Sequence, residues 1–249
     1  MAVARVISEE KGIQHAVWYL LGASVRGVWA LITDYYLILC AVSCRKPLIH
    51  VIGDSHVKTF TKHKPFVAHH IGAATAHNLK KKDSSTKSNE KLFDLIDRIR
   101  KNDIVILLFG EIDCRIHAYY QFMKNNERQT IGEILDMTIS NYGEVIEQIR
   151  ERGVKPCVCS VPPATAVGNE YNFPFYATPE MRSEITRMFN ERLEGLCRKN
   201  GYTYIDVYSK VSSADGLMLQ EYAADKIHLN SKALSHVKTE LRGKLGINV

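Results

Sequence analysis

No Gly-x-Gly-x-x-Gly or Walker-type loop follows any apolar run of the 249 residues, which disfavours chemistry through a nucleotide cofactor. No self-similar period of about 20 to 50 residues is visible, so solenoids and propellers are set aside. Cys-x-x-Cys is absent. Cys157-Val158-Cys159 would point two sulfurs to one face of a strand, but no second such pair completes a zinc site. The remaining cysteines (Cys40, Cys44, Cys114 and Cys197) are scattered, and the chain is long enough to fold without staples, so buried free thiols in a reducing, cytoplasmic compartment are expected. Six of the ten histidines (His50, His56, His63, His69, His70 and His77) crowd into one stretch, yet no helical His-x-x-x-His or paired acidic motif accompanies them. Neither a metal nor a cofactor is expected. Charge of one sign is also scarce: the net +6 is mild and partly local, as in Lys80-Lys81-Lys82, and no interleaved basic and aromatic motif points to nucleic acid.

What is present is the composition of a globular α/β protein, 45% hydrophobic and 24% charged, with length for one full core and a small appendage. Residues 1–46 stand apart. Ala16 to Cys44 is mostly apolar and aromatic but is interrupted by Arg26 and Asp34. A spanning helix would bury at least one of those charges, at about 2.5 to 3.5 kcal/mol each at the bilayer centre. Glu9, Glu10 and Lys11 precede the segment, and no small-residue cleavage site follows, so a signal peptide is not expected either. Two helices packed on the domain, a hairpin contacting a membrane surface or protein partner through residues 14–44, and a true span remain open. The division is therefore an apolar helical segment, 1–46, and a main globular domain, 47–249, in a cytoplasmic protein with an option of membrane association.

From residue 47 the pattern changes to short apolar runs alternating with long amphipathic stretches. Leu48 to Ile52 suits a buried strand that stops at Gly53-Asp54-Ser55-His56. Ile104 to Phe109 is a second continuous apolar run, ending at Gly110, and Cys157–Val161 and Tyr202–Val207 are two more. Between them, Ser88 is placed to cap a helix carrying Leu92, Leu95, Ile96 and Ile99, and Thr130 with Glu133 makes a capping box. Thr178-Pro179 opens a helix with Met181, Ile185, Met188, Phe189, Leu193 and Leu196 inward, and the last helix begins near Ser231. Strands alternating with helices imply a mostly parallel sheet covered on both faces.

Four loops fall at strand ends or helix starts and can therefore meet on one rim: GDSH at 53–56, the loop at Gly72, GEIDCR at 110–115 and DKIHLN at 225–230. In this order and spacing they resemble the blocks of the SGNH/GDSL hydrolase family, over about residues 48–245. The resemblance implies a three-layer α/β/α, flavodoxin-like domain with a five-stranded sheet in the order 2-1-3-4-5, and a serine esterase or acyl hydrolase acting on a small-molecule or glycan ester.

Carried over residue by residue, the resemblance makes Ser55 the nucleophile. Chemistry gives His228 as the base that a hydroxyl needs, and Asp225, three residues before it, as the carboxylate that fixes the imidazole. The resemblance assigns the oxyanion to the backbone of Ser55 and Gly72 and to an asparagine in the third block, where this chain has Ile112. Arg115 would supply the missing stabilisation, or two backbone donors would suffice, or activity would be weak or lost. Arg115 could equally pair structurally with Glu111 and Asp113. Asp54 and His56, flanking the nucleophile, complete the expected lining. The competing expectation is an SGNH-like protein with little or no activity that binds a glycan or partner in polysaccharide or envelope assembly.

Overall fold

The computed structural model describes residues 47–169 and 172–247. The apolar segment 1–46, with the surface or partner contact expected of residues 14–44, lies outside the described residues. Among the described residues no helix is long and apolar enough to cross a membrane.

Five parallel strands form one sheet in the order β2-β1-β3-β4-β5: β1 Ile49–Gly53, β2 Phe66–His70, β3 Ile104–Leu108, β4 Lys155–Cys159 and β5 Thr203–Ile205. The helices are α1 Ser88–Ile96, α2 Ala118–Lys124, α3 Ile131–Glu151, α4 Pro179–Asn200, the single turn α5 Tyr208–Val211, and α6 Leu234–Leu245. Alternate residues of each strand feed two cores. Ile52, Val105, Leu107 and Val158 face α1, α3 and α4, whereas Val51, Ile106, Leu108 and Cys159 face α6 and the 3-10 turn Ser55–Phe60. This is the three-layer arrangement expected, with strands buried on both faces.

Local chemistry starts the helices where the sequence indicates. Thr130 and Glu133 close the capping box of α3, and Thr178 caps α4 with Pro179 in its first turn. Two expectations are corrected. Lys87, in the left-handed region, occupies the cap position of α1, and Ser88 lies inside the helix with its hydroxyl on Thr86. Met181 is exposed, and Arg182 takes the inward position of α4. Strand β2 has no clear signal, because it ends in two histidines. His69 is buried there since its ring meets His50 at 2.8 Å, and His50 in turn meets Asp103 at 3.3 Å. A buried polar chain replaces the apolar pattern that would mark the strand.

Gly53 ends β1 against β3 so closely that a Cβ would stand 2.2 Å from the carbonyl oxygen of Leu108. Gly53→Ala is accordingly expected to prise the two strands apart and cost about 3 kcal/mol or more, read as a lowered urea midpoint. Gly110, two residues past the end of β3, has φ at 118°, a conformation that favours glycine, and a Cβ there would strike Phe189 and Val161 at under 3 Å. The two glycines thus fix how the first and third loops leave the sheet, side by side at its carboxyl edge.

Candidate active site

The first loop turns at once into the 3-10 segment Ser55–Phe60, capped by the Asp54 side chain, which accepts the His56 N–H at 2.9 Å. Ser55 is thereby held half-buried at the tip of β1. Its Oγ lies 2.8 Å from Nε2 of His228. His228 comes from the loop before α6, where Asp225 Oδ1 accepts the backbone N–H groups of Ile227 and His228 at 2.8 and 2.7 Å and so closes a tight turn. The same turn brings Nδ1 of His228 to 2.8 Å from Asp225 Oδ2. Residues 173 positions apart in sequence thus form one chain, Ser55 to His228 to Asp225.

Burial pushes the Asp225 carboxyl upward, but the two N–H donors and the imidazole outweigh it and hold the pKa down at about 2. With a carboxylate on Nδ1, the proton of a neutral imidazole sits there. Nε2 is then left to accept the Ser55 hydroxyl.

His56 secures the turn. Its Nδ1 and Nε2 face Asp54 Oδ1 and the Ile227 carbonyl at 3.1 and 3.3 Å, and its ring lies 4.7 Å from that of His228. Burial lowers its pKa, yet the Asp54 hydrogen bond and the nearby Glu111 charge carry it above the ordinary value. Through its two ring nitrogens His56 therefore ties the nucleophile loop to the histidine loop. Asp54, His56 and Glu111 bring ligand-type atoms within 4.8 Å of one another. His56 and Glu111 already spend those atoms on internal partners, which argues against a cation there.

The third loop behaves differently from the other two. Arg115 donates Nε and Nη2 to the two oxygens of Glu111 at 2.5 and 3.2 Å, a bidentate pair that fixes the guanidinium along its own helical turn. Ile112 offers no donor. Asp113 points away from the rim and into the protein, accepting the backbone N–H groups of Ala76 and His77 at 2.7 and 3.1 Å. It clamps the third loop to the segment that follows Gly72. Burial, with the Asp54 charge, raises its pKa to about 7 despite those donors. His117 lies beside the clamp, 4.5 Å ring to ring from His77, and burial followed by the His77 charge pushes it down to about 4. Asn78 is exposed and bonded to Thr75.

Gly72 follows the end of β2, next to β1, whose last residue Gly53 is paired with His70. Among the described residues the backbone N–H groups of Ser55 and Gly72 have no hydrogen-bond acceptor. They are two free donors on the rim that carries Ser55.

The model for the GDSL-like lipase/acylhydrolase family matches residues 51–233, a span that begins inside β1 and ends just before α6. The chain belongs to that family. Solved structures of GDSL-type proteins share its fold. A GDSL-like lipase from Bacteroides thetaiotaomicron aligns with a TM-score of 0.55 at 14% identity, covering 82% of this chain and 89% of its own. A carbohydrate acetylesterase from Sinorhizobium meliloti aligns at 0.52 and 15% identity, covering 81% of this chain and 99% of its own. No curated protein matches the chain. In this GDSL-type protein the four sequence blocks do meet on one rim, but Arg182 was not among the expected lining residues. An arginine seven residues before Phe189, on the inward side of an amphipathic helix, was the available signal.

Proposed function

We propose that the protein is a serine esterase that cleaves or transfers an ester-linked acyl group, with Ser55 as nucleophile, His228 as general base and Asp225 as the carboxylate that orients it. The 2.8 Å contact between Ser55 Oγ and His228 Nε2, backed by Asp225 on the far nitrogen, is the observation that carries this reading. Ser55 Oγ attacks the ester carbonyl while its proton passes to Nε2. The imidazolium then protonates the departing alcohol and leaves an acyl group on Ser55. Water, or a hydroxyl of an acceptor in the transferase version, attacks the acyl carbonyl and gives its proton to Nε2, which returns it to Ser55 Oγ as the Ser55–acyl bond breaks. The N–H groups of Ser55 and Gly72 supply the oxyanion donors. Arg115, spent on Glu111, holds the third loop rather than the oxyanion. An O-acyl group on a carbohydrate is the proposed substrate class, supported by the likeness in fold to an acetylesterase that acts on carbohydrate.

The test uses p-nitrophenyl acetate and a fluorophosphonate probe on the full chain. Turnover, with a covalent adduct on the Ser55 tryptic peptide, is expected. An intact protein that neither hydrolyses the ester nor takes up the probe would favour the second reading, a non-catalytic glycan or partner binder, for which Ile112 at the asparagine position is the motive.

A further inference from the structure

Beside the Ser55–His228 pair is a small cleft open to solvent, lined among others by Glu111, Arg115, Pro162, Thr165, Arg182 and Ile227. It abuts the catalytic rim on two sides, because Ile227 precedes His228 and Glu111 lies within reach of His56. Two guanidinium groups face this small space, and their circumstances differ. Arg115 is neutralised by Glu111. Arg182, at 1% exposure, has no carboxylate partner among the described residues. Its Nη2 donates to the carbonyl oxygens of Thr165, at 3.0 Å, and Val167, and its plane lies 4.8 Å from the ring of Tyr176. Neither Nε, which is fully buried, nor Nη1 has a hydrogen-bond partner.

A buried cation bonded only to carbonyl oxygens, over a ring face and with the Glu111 and Glu180 charges acting without direct contact, is an expensive arrangement, and large hydrophobic residues fill the equivalent inward positions further along α4. Burial, reinforced by the Arg115 charge, already pulls its pKa below the ordinary arginine value. The cleft thus keeps one positive charge without a carboxylate in direct contact, preorganised by two carbonyls and an aromatic face. An anion placed there would find the Nη1 donors of a guanidinium whose desolvation the fold has already met.

The geometry points to a subsite for a small oxyanion, a carboxylate or a phosphate carried by the ester substrate, seated against Arg182 with Arg115 behind it. The inference rests on the esterase reading and narrows it: the substrate is an acyl ester of an acidic molecule. A neutral sugar ester would leave the Arg182 charge without a partner.

Three matched acetyl esters test this: methyl para-acetoxybenzoate, which is neutral, para-acetoxybenzoate and para-acetoxyphenyl phosphate. For the wild-type chain, kcat/KM is expected to be at least tenfold higher for one anionic ester than for the neutral one, and which anionic ester gains identifies the oxyanion. In Arg182→Met the ratio of anionic to neutral should fall to near one, and Arg182→Lys should keep part of it. Equal or poorer turnover of both anionic esters by the wild-type protein overturns the subsite while leaving the esterase reading intact, and needs no variant to fold. If no ester is turned over, the esterase reading fails instead. Calorimetric titration with para-hydroxybenzoate and para-hydroxyphenyl phosphate then decides the subsite. Binding by wild type that is absent in a folded Arg182→Met supports it, and no binding by wild type at millimolar ligand overturns it.

Discussion

His228→Ala is expected to lower kcat for p-nitrophenyl acetate by about 10³-fold or more, and Ser55→Ala by a similar factor, with the double variant no worse than either single. The two side chains act as one unit across a 2.8 Å contact, so losing either partner loses the activated hydroxyl altogether. Multiplying losses in the double variant would show that each residue acts alone and would refute the assignment. Asp225→Asn is a sharper probe. An asparagine Oδ1 can still accept the N–H groups of Ile227 and His228 and keep the turn. Its amide, however, would donate to His228 Nδ1 and drive the imidazole proton onto Nε2, where it blocks acceptance from Ser55. A loss of about 10⁴-fold with an unchanged fold is expected. Because Asp225 is held down at about 2, its carboxylate persists throughout the range above pH 4. Its stabilising effect, present above the ordinary carboxylate value, is lost only as pH falls through about 2. Any change in rate between pH 5 and 8 therefore belongs to another group.

The sequence carried those three residues legibly because each sits in a turn whose chemistry is local. Glycine at the end of an apolar run marks where Ser55 stands, and the Asp-x-x-His spacing of residues 225–228 lets one carboxylate serve both backbone and imidazole. The sheet order was legible in the same way, since buried runs alternating with amphipathic helices allow few topologies. What escaped was long-range polar pairing. Strand β2 is concealed by His69, whose burial makes sense only once His50 and Asp103 are beside it. Arg115 and Asp113, both part of the expected lining, turn opposite ways because Glu111 holds the first and the N–H groups of Ala76 and His77 hold the second. Arg182 belongs to an inward helical stripe that composition alone reads as packing. Local turn geometry is written in neighbouring residues; the partner of a buried charge is not.

Asp113 carries the other large effect. Asp113→Ala would leave two N–H groups of the Ala76–His77 segment without an acceptor, one of them in a fully buried residue, and is expected to cost about 2 to 5 kcal/mol of stability. Asp113→Asn keeps one acceptor and should cost less, and its pH dependence is the more informative. With its pKa raised to about 7, the native carboxyl binds a proton more readily than the unfolded one. Its contribution to stability therefore falls as pH rises from about 4 to 7. His117, pushed down to about 4, works in the opposite sense: the unfolded chain takes up its proton first, so stability rises over the same range. In the wild-type protein the two slopes oppose one another. Asp113→Asn removes the falling one, so the deficit of the variant relative to wild type should shrink steadily between pH 4.5 and 7.5 in urea unfolding series. A deficit independent of pH would mean that Asp113 is ionised in both states across that range. Because the clamp also sets the segment after Gly72, the same variant should lose kcat while leaving the Ser55–His228 contact, and hence fluorophosphonate labelling at saturation, in place.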